Sequence, residues 1–484
     1  MLSTGVPLTP AVPLPLRRIA LLASTAALVA CGTQVPTAAP VAAAPAAPAR
    51  APGDACERPI DNGTPAPGSD AWKARDAANF QCARQRLADL AQQPEAFFPP
   101  GKMPVLDAYR VPTRNAGVRF RFEQVTTPNR SGQPITVEVY RPCATGDCPN
   151  LPAGLKRVDG PYPTVVIVHG GYSSRRLHWS AAQALAEAGY MTVSLETTAP
   201  MNVHALDTQD VLDWVFSTPQ PPLANGGHFP RWQDLDRKAV GIAGHSQGGS
   251  TASLLGQTDS RLSAIVAWDN LTALNTGWVD KLGTDPKPGT AIRTPAIGIG
   301  ADYYFKPVPY DAAPEPAPSN TQGGRGRGDG PHPKDLGFQE LKAAGVDTML
   351  VMPRAATHLD YSLFGGGTSR YGEAVIQYYT LAWFDRYLKG PRDAAVARDA
   401  FRRLTASTFD GSIDRHNISQ GLYDKAAAAA AGDPYAGNRP YTLEGQPVRD
   451  RLSFYFASRC SLTEPGTGAR AVSEDLRSKG CPAR

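Results

Sequence analysis

From residue 118 onward the hydrophobic positions fall into short runs divided by turns. Val118 to Val125 and Ile135 to Tyr140 come first, followed by the unbroken apolar run Thr164 to Val168, which stops at His169-Gly170-Gly171. An unbroken run of that length predicts a strand buried on both faces. Ala181 to Ala188 has helical spacing, Met191 to Leu195 predicts the next strand, Gln209 to Phe216 a helix and Ala239 to Ala243 another strand. The alternation resumes with a helix ending near Leu255, strands at Ala264 to Ala267 and Ala296 to Ile299, a helix at Leu336 to Ala344 and a strand at Thr348 to Met352. Ala374 to Leu388 reads as a closing amphipathic helix. Strand and helix in regular alternation predict an α/β protein whose mostly parallel central sheet carries helices on both faces.

The pattern is interrupted once. Phe305 to Pro333 holds Pro314-Glu315-Pro316-Ala317-Pro318 and Gly323-Gly324-Arg325-Gly326-Arg327-Gly328, a composition that predicts a flexible insertion near the mouth of the sheet. Beyond residue 391 the pattern is hard to read, and Ala426 to Ala431 is a short alanine run. The resulting division is a catalytic domain over 118–391, an N-terminal extension over 56–117 and a C-terminal extension over 392–484.

The N-terminus has a different character. Arg17 and Arg18 precede the apolar run Ile19 to Ala30, which ends in Leu28-Val29-Ala30-Cys31-Gly32. A charged start, a short apolar stretch and small residues before a cut form the order of a secretory signal, here 1–30, and the run is too short to span a bilayer. It resembles a bacterial lipoprotein signal, which implies that Cys31 carries lipid and that the chain is a cell-envelope lipoprotein, or else periplasmic or secreted. Residues 31–55 are rich in Pro and Ala and predict an extended tether.

An exported chain makes its cysteines informative. Setting Cys31 aside, six of the seven remain, Cys56, Cys82, Cys143, Cys148, Cys460 and Cys481, an even number that favours disulfides. Proximity in sequence pairs Cys56 with Cys82, Cys143 with Cys148 and Cys460 with Cys481. No Cys/His spacing fits a structural zinc site, so no metal is expected. The net charge of +5 over 484 residues is small, and no basic stripe interleaved with aromatics occurs, which argues against a nucleic-acid partner.

The candidate chemistry lies in Gly244-His245-Ser246-Gln247-Gly248, directly after an apolar strand and directly before a helix-forming run. A serine on so tight a strand-to-helix turn is exposed as a nucleophile, with glycines where side chains would collide. The turn also aims the Gln247 N–H at a reacting carbonyl, and the loop after the third strand offers Gly171, with Tyr172 as the alternative, for the second oxyanion donor. His169 reads as a structural residue of that loop. Among the histidines after Ser246, His358 follows the last predicted strand, His332 sits in the Gly/Pro-rich insertion and His416 lies beyond the predicted core, so His358 is the candidate base. Two acids end strands at the same edge: Asp269 in Ala267-Trp268-Asp269-Asn270 and Asp302 in Gly300-Ala301-Asp302-Tyr303. Trp268, Tyr172, Tyr303, Tyr304 and Phe305 are candidates to line an apolar cleft.

The stretch from Val165 to Phe364 resembles the plasma-type platelet-activating-factor acetylhydrolases in its His-Gly loop, its Gly-His-Ser-x-Gly-Gly, an acid after the next strand and a histidine followed by aromatics, His358-Leu359-Asp360-Tyr361-Ser362-Leu363-Phe364. More distantly it is similar to bacterial cutinases and polyester hydrolases, through Gly171-Tyr172 and a tryptophan at Trp268. Both resemblances imply the α/β-hydrolase fold, a Ser-His-Asp triad, a small-molecule or lipid ester as substrate and no cofactor. The first implies Asp269 as the acid and the second Asp302. The reading adopted is Ser246, His358 and Asp269, as the first resemblance implies; the separation of Ser246 from Asp269 leaves room for one helix, one turn and one strand. A peptidase or amidase of the same fold would use the same residues, and a catalytically silent envelope protein would use the fold only for binding.

Overall fold

The computed structural model describes residues 65–91, 120–147, 157–197, 204–269, 271–274, 290–303, 333–362, 370–409 and 443–482, apart from positions 67, 221, 225, 226 and 444. Residues 1–55 with Cys31, the cysteines Cys56 and Cys148, nearly all of the 305–333 insertion, and His332 and His416 lie outside this set.

Ten strands form one sheet among the described residues: β1 (Phe120–Pro128), β2 (Pro134–Pro142), β3 (Tyr162–Val168), β4 (Met191–Leu195), β5 (Leu235–His245), β6 (Ala264–Trp268), β7 (Ala296–Ile299), β8 (Thr348–Val351), β9 (Arg459–Thr463) and β10 (Arg470–Ser473). Their order is β1-β2-β4-β3-β5-β6-β7-β8-β9-β10. From β4 to β8 every neighbouring pair is parallel, and antiparallel pairs close both ends. The protein is therefore α/β with a mostly parallel sheet.

The unbroken apolar runs have a simple origin. In β3, Val165 and Ile167 enter one core and Val166 and Val168 the core on the opposite face. The first face is covered by α2 (Trp179–Glu187) and α6 (Arg370–Phe384), whose Trp179, Leu185, Val375 and Trp383 are buried there. The second is covered by α3 (His204–Val215), α4 (Gln247–Thr258) and α5 (Leu336–Ala343) through Val211, Leu212, Leu255 and Leu341. Helix α3 begins five residues before the start expected at Gln209, because its first turns bury polar groups, His204, Asp207 and Thr208, that apolar spacing does not register. The helix expected to run to Leu388 ends at Phe384 and passes into a wider π turn, Asp385–Lys389. There the buried Asp385 accepts hydrogen bonds from Tyr190 Oη at 2.7 Å and Arg403 Nη2 at 2.6 Å.

Both stretches read as extensions are joined to this frame. After α7 (Ala394–Thr405) the chain supplies β9 and β10, and Cys460, Leu462 and Ala471 enter the first core. Cys460 is bonded to Cys481. Cys82 and Cys143 are disulfide-bonded as well, while Cys56 and Cys148, expected as their partners, lie outside the described residues. Helix α1 (Asp70–Ala91) in the N-terminal stretch reaches the loop after β7, where Asn79 donates to Asp302. Among the described residues no helix is long and apolar enough to cross a membrane.

Candidate active site

Ser246 joins β5 to α4 with φ 55° and ψ −118°, a conformation that side chains disfavour. The turn holds because its surroundings leave no alternative. A side-chain carbon on Gly244 would lie 2.1 Å from the Gly248 carbonyl oxygen, and one on Gly248 would lie 2.2 Å from that of Val168. Sheet hydrogen bonding continues up to the serine, whose N–H donates to the Trp268 carbonyl at 2.9 Å. The next residue of that neighbouring strand is Asp269, at φ 44°, with its own N–H bonded to the Ile299 carbonyl at 2.7 Å. Four non-glycine residues with positive φ occur among the described residues, and Tyr172, Ser246 and Asp269 belong to this edge while Ala355 opens the loop to His358. Backbone strain of about 1–3 kcal/mol per residue persists only where packing enforces it, and it concentrates at functional sites.

His358 begins a short 3-10 turn, His358–Tyr361, beyond β8. Thr357 caps it: its side chain accepts from Leu359 N–H, and the Asp360 carboxylate accepts from Thr357 N–H at 2.6 Å. The His358 N–H donates to the Tyr303 carbonyl at 3.1 Å, and Tyr361 Oη donates to the Gly300 carbonyl. The aromatic and acidic residues following the histidine thus pin its loop to the end of β7. So held, His358 Nδ1 meets Asp269 Oδ2 at 2.5 Å. Both side chains are buried.

Asp269 has a second partner, invisible in the sequence pattern. Lys334, in the turn before α5, donates from Nζ to Asp269 Oδ1 at 3.0 Å and to the Ala301 carbonyl at 2.7 Å. Burial alone would push the Asp269 carboxyl up, but the Lys334 ammonium and His358 outweigh it and hold the pKa down at about 2. The rival acid stands in a different setting. Asp302 Oδ2 accepts from Ala355 N–H at 2.6 Å and Asn79 Nδ2 at 3.1 Å, and burial pushes its pKa up against hydrogen bonds from Ser453, Ala355 and Asn79. Asp302 therefore ties α1 to the loop that carries His358, and Asp269 is the acid that touches the histidine. Asn79 had no signal in the sequence, since only the tertiary path brings α1 to the end of β7.

The loop after β3 lies against the elbow. A side-chain carbon at Gly170 would sit 3.2 Å from Ser246 Cβ, and one at Gly171 would sit 2.8 Å from Gln247 Oε1. Gln247 is the first residue of α4, where helix N–H groups have no intrahelical acceptor and the dipole favours negative charge. His169 fixes the loop. Its Nδ1–H donates to the Gly170 carbonyl at 2.7 Å, while Nε2 accepts from Thr197 N–H at 3.0 Å.

Of the five aromatics expected to line an apolar cleft, two are packed inward. Trp268 and Tyr303 are buried: Trp268 donates to Thr380 Oγ1 at 3.0 Å and stacks on His178, and Tyr303 Oη accepts from Asn79. Tyr172 is 95% exposed, and Tyr304 and Phe305 lie outside the described residues. Among the described residues no group of three or more His, Cys, Asp or Glu side chains is arranged to hold a metal ion.

Five of the eight histidines, at 169, 178, 204, 245 and 358, are buried around this edge. Burial lowers His178 and His204 to about 3. In the unfolded chain each would take up a proton below about pH 6.5, whereas folded they resist until about pH 3, so their contribution is complete above pH 6.5 and is lost as pH falls. Urea unfolding should show stability declining below about pH 6 by up to ~1.4 kcal/mol per pH unit for each of the two. Equal urea midpoints at neutral and mildly acidic pH would contradict this.

In comparisons with known proteins, no family model and no curated sequence matches this chain, so the functional reading rests on the geometry of Ser246, His358 and Asp269.

Proposed function

We propose that this chain is a serine hydrolase of carboxylic esters, built on the α/β-hydrolase fold and acting through an acyl-enzyme. The observation that carries the reading is the strained Ser246 turn between β5 and α4, hydrogen-bonded to the end of the strand from which Asp269 engages His358. With Nδ1 committed to Asp269, Nε2 is the ring nitrogen that takes the Ser246 proton as the hydroxyl attacks the ester carbonyl. His358 then returns that proton to the leaving alcohol, and water repeats the cycle to release the acid. Asp269 keeps the ring in the required tautomer and stabilises the imidazolium. The N–H groups of Gln247 and Gly171 stabilise the oxyanion, a contribution of about 3–4 kcal/mol per well-placed donor in enzymes of this kind. No metal or organic cofactor enters these steps.

The same reading places the enzyme outside the cytoplasm, held to a membrane by lipid on Cys31 through the Pro/Ala-rich tether, with small-molecule or lipid esters as substrates. It is supported by the order of residues at the N-terminus and by the oxidised cysteines of the folded part.

A fluorophosphonate probe should label the folded protein at Ser246, located by peptide mass spectrometry, and Ser246→Ala should abolish both labelling and p-nitrophenyl acetate hydrolysis. A folded wild-type protein that remains unlabelled would remove the reading.

A further inference from the structure

We propose that Lys334 is a positioning residue for the triad, orienting the Asp269 carboxylate and offsetting its charge beside His358. This rests on the hydrolase reading above. A carboxylate that must present one oxygen to an imidazole has its other oxygen to satisfy, and in a buried site water is not at hand. Lys334 meets that need: its ammonium binds Asp269 Oδ1 at 3.0 Å while Oδ2 faces His358 Nδ1 at 2.5 Å. A second bond to the Ala301 carbonyl at 2.7 Å fixes the ammonium between the ends of β6 and β7. Lys334 and Asp269 are both buried, so their interaction is little screened.

A cation held against the carboxylate has a direct electrostatic effect on the base. Asp269 favours the protonated imidazole, and Lys334 opposes it, because the positive charge lies on the far side of the same carboxylate. The other groups around His358 are mostly neutral or committed. His245 from β5 donates through Nε2 to the His358 carbonyl at 2.8 Å, and burial keeps its ring from protonating. Tyr361 stacks on His245, and burial holds its hydroxyl protonated. His178, next to α2, is uncharged above about pH 3 and donates to the Tyr361 carbonyl at 3.1 Å. Asp360 on the histidine's own turn is occupied by Thr357, and Asp302 from the loop after β7 by Ala355 and Asn79. The Asp269–Lys334 pair is thus the charged unit in direct contact with the His358 ring.

The rate of Ser246 labelling by a fluorophosphonate, measured from mildly acidic to neutral pH, reports whether His358 is free to take the serine proton. Removing the cation leaves the Asp269 charge unopposed beside His358, which favours the imidazolium, so the acidic limb of the profile moves to higher pH. In Lys334→Met the midpoint should move up by about one pH unit. Lys334→Gln, which keeps a donor for Asp269 without charge, should shift in the same direction. Lys334→Arg, which keeps the charge, should leave the midpoint close to that of the wild type, and a displaced limb there overturns the proposal. Folded Met and Gln variants that keep the wild-type midpoint also overturn it, even if slower, since slowing without a shift is what a merely structural lysine would give. Failure of the underlying hydrolase reading is separately visible, because the wild-type protein would then not be labelled at any pH.

Discussion

Asp269→Asn is expected to reduce ester turnover by about ten-thousand-fold while leaving the fold intact, because an asparagine amide in place of Oδ2 selects the wrong imidazole tautomer. The 2.5 Å contact with His358 Nδ1 makes Asp269 the group with that control. Asp302→Asn should behave differently. Its carboxylate accepts from Ala355 N–H and Asn79 Nδ2, so the change perturbs the joint between α1 and the His358 loop. Loss of about 1–3 kcal/mol of stability is expected, with turnover kept within about an order of magnitude in the folded fraction. Steady-state rates on p-nitrophenyl acetate, with circular dichroism to establish folding, separate the two cases. Inactivation by the Asp302 change and tolerance of the Asp269 change would reverse the assignment.

The second large effect concerns the backbone. Gly244→Ala and Gly248→Ala each place a methyl carbon about 2 Å from main-chain oxygens, at Gly248 in the first case and at Val168 and His169 in the second. Main-chain atoms of a packed helix start or strand end cannot retreat as a flexible side chain can, so each variant should be destabilised by about 3 kcal/mol or more. Gly170→Ala provides the graded comparison, since its nearest contacts would be 3.2 Å and a small shift accommodates them. Urea midpoints for the three variants test the order. If the two elbow variants unfold at the wild-type midpoint, the turn is not sterically enforced.

The strands leading to the site were legible because each is a short apolar run buried on both faces, as Met191–Leu195 and Ala296–Ile299 show. Ser246 was legible because a tight strand-to-helix turn imposes glycines around it. Strands β9 and β10 were not. Arg459-Cys460-Ser461-Leu462-Thr463 and Arg470-Ala471-Val472-Ser473 are brief and half polar, as suits strands at a sheet margin. Lys334 was equally hidden, since its reach to Asp269 depends on where the chain re-enters the fold after the insertion. Aromatic residues beside strand ends misled for a related reason: Trp268 and Tyr303 face inward, and only the packing of α6 and α1 reveals it.

The place of β8 in the sheet also bears on when Ser246, Asp269 and His358 come together. Ser246 and Asp269 stand at the ends of strands whose neighbours are all encoded before residue 300. β8, which leads into His358, has β7 on one side and β9 on the other, and β9 is made roughly a hundred residues later. Until then β8 is an open edge that cannot hold its loop firmly. In chain order, Ser246 and Asp269 have their neighbouring strands before the strand that holds the His358 loop gains its second neighbour. In the proposed hydrolase, activity would then await the closing of the C-terminal hairpin onto the sheet.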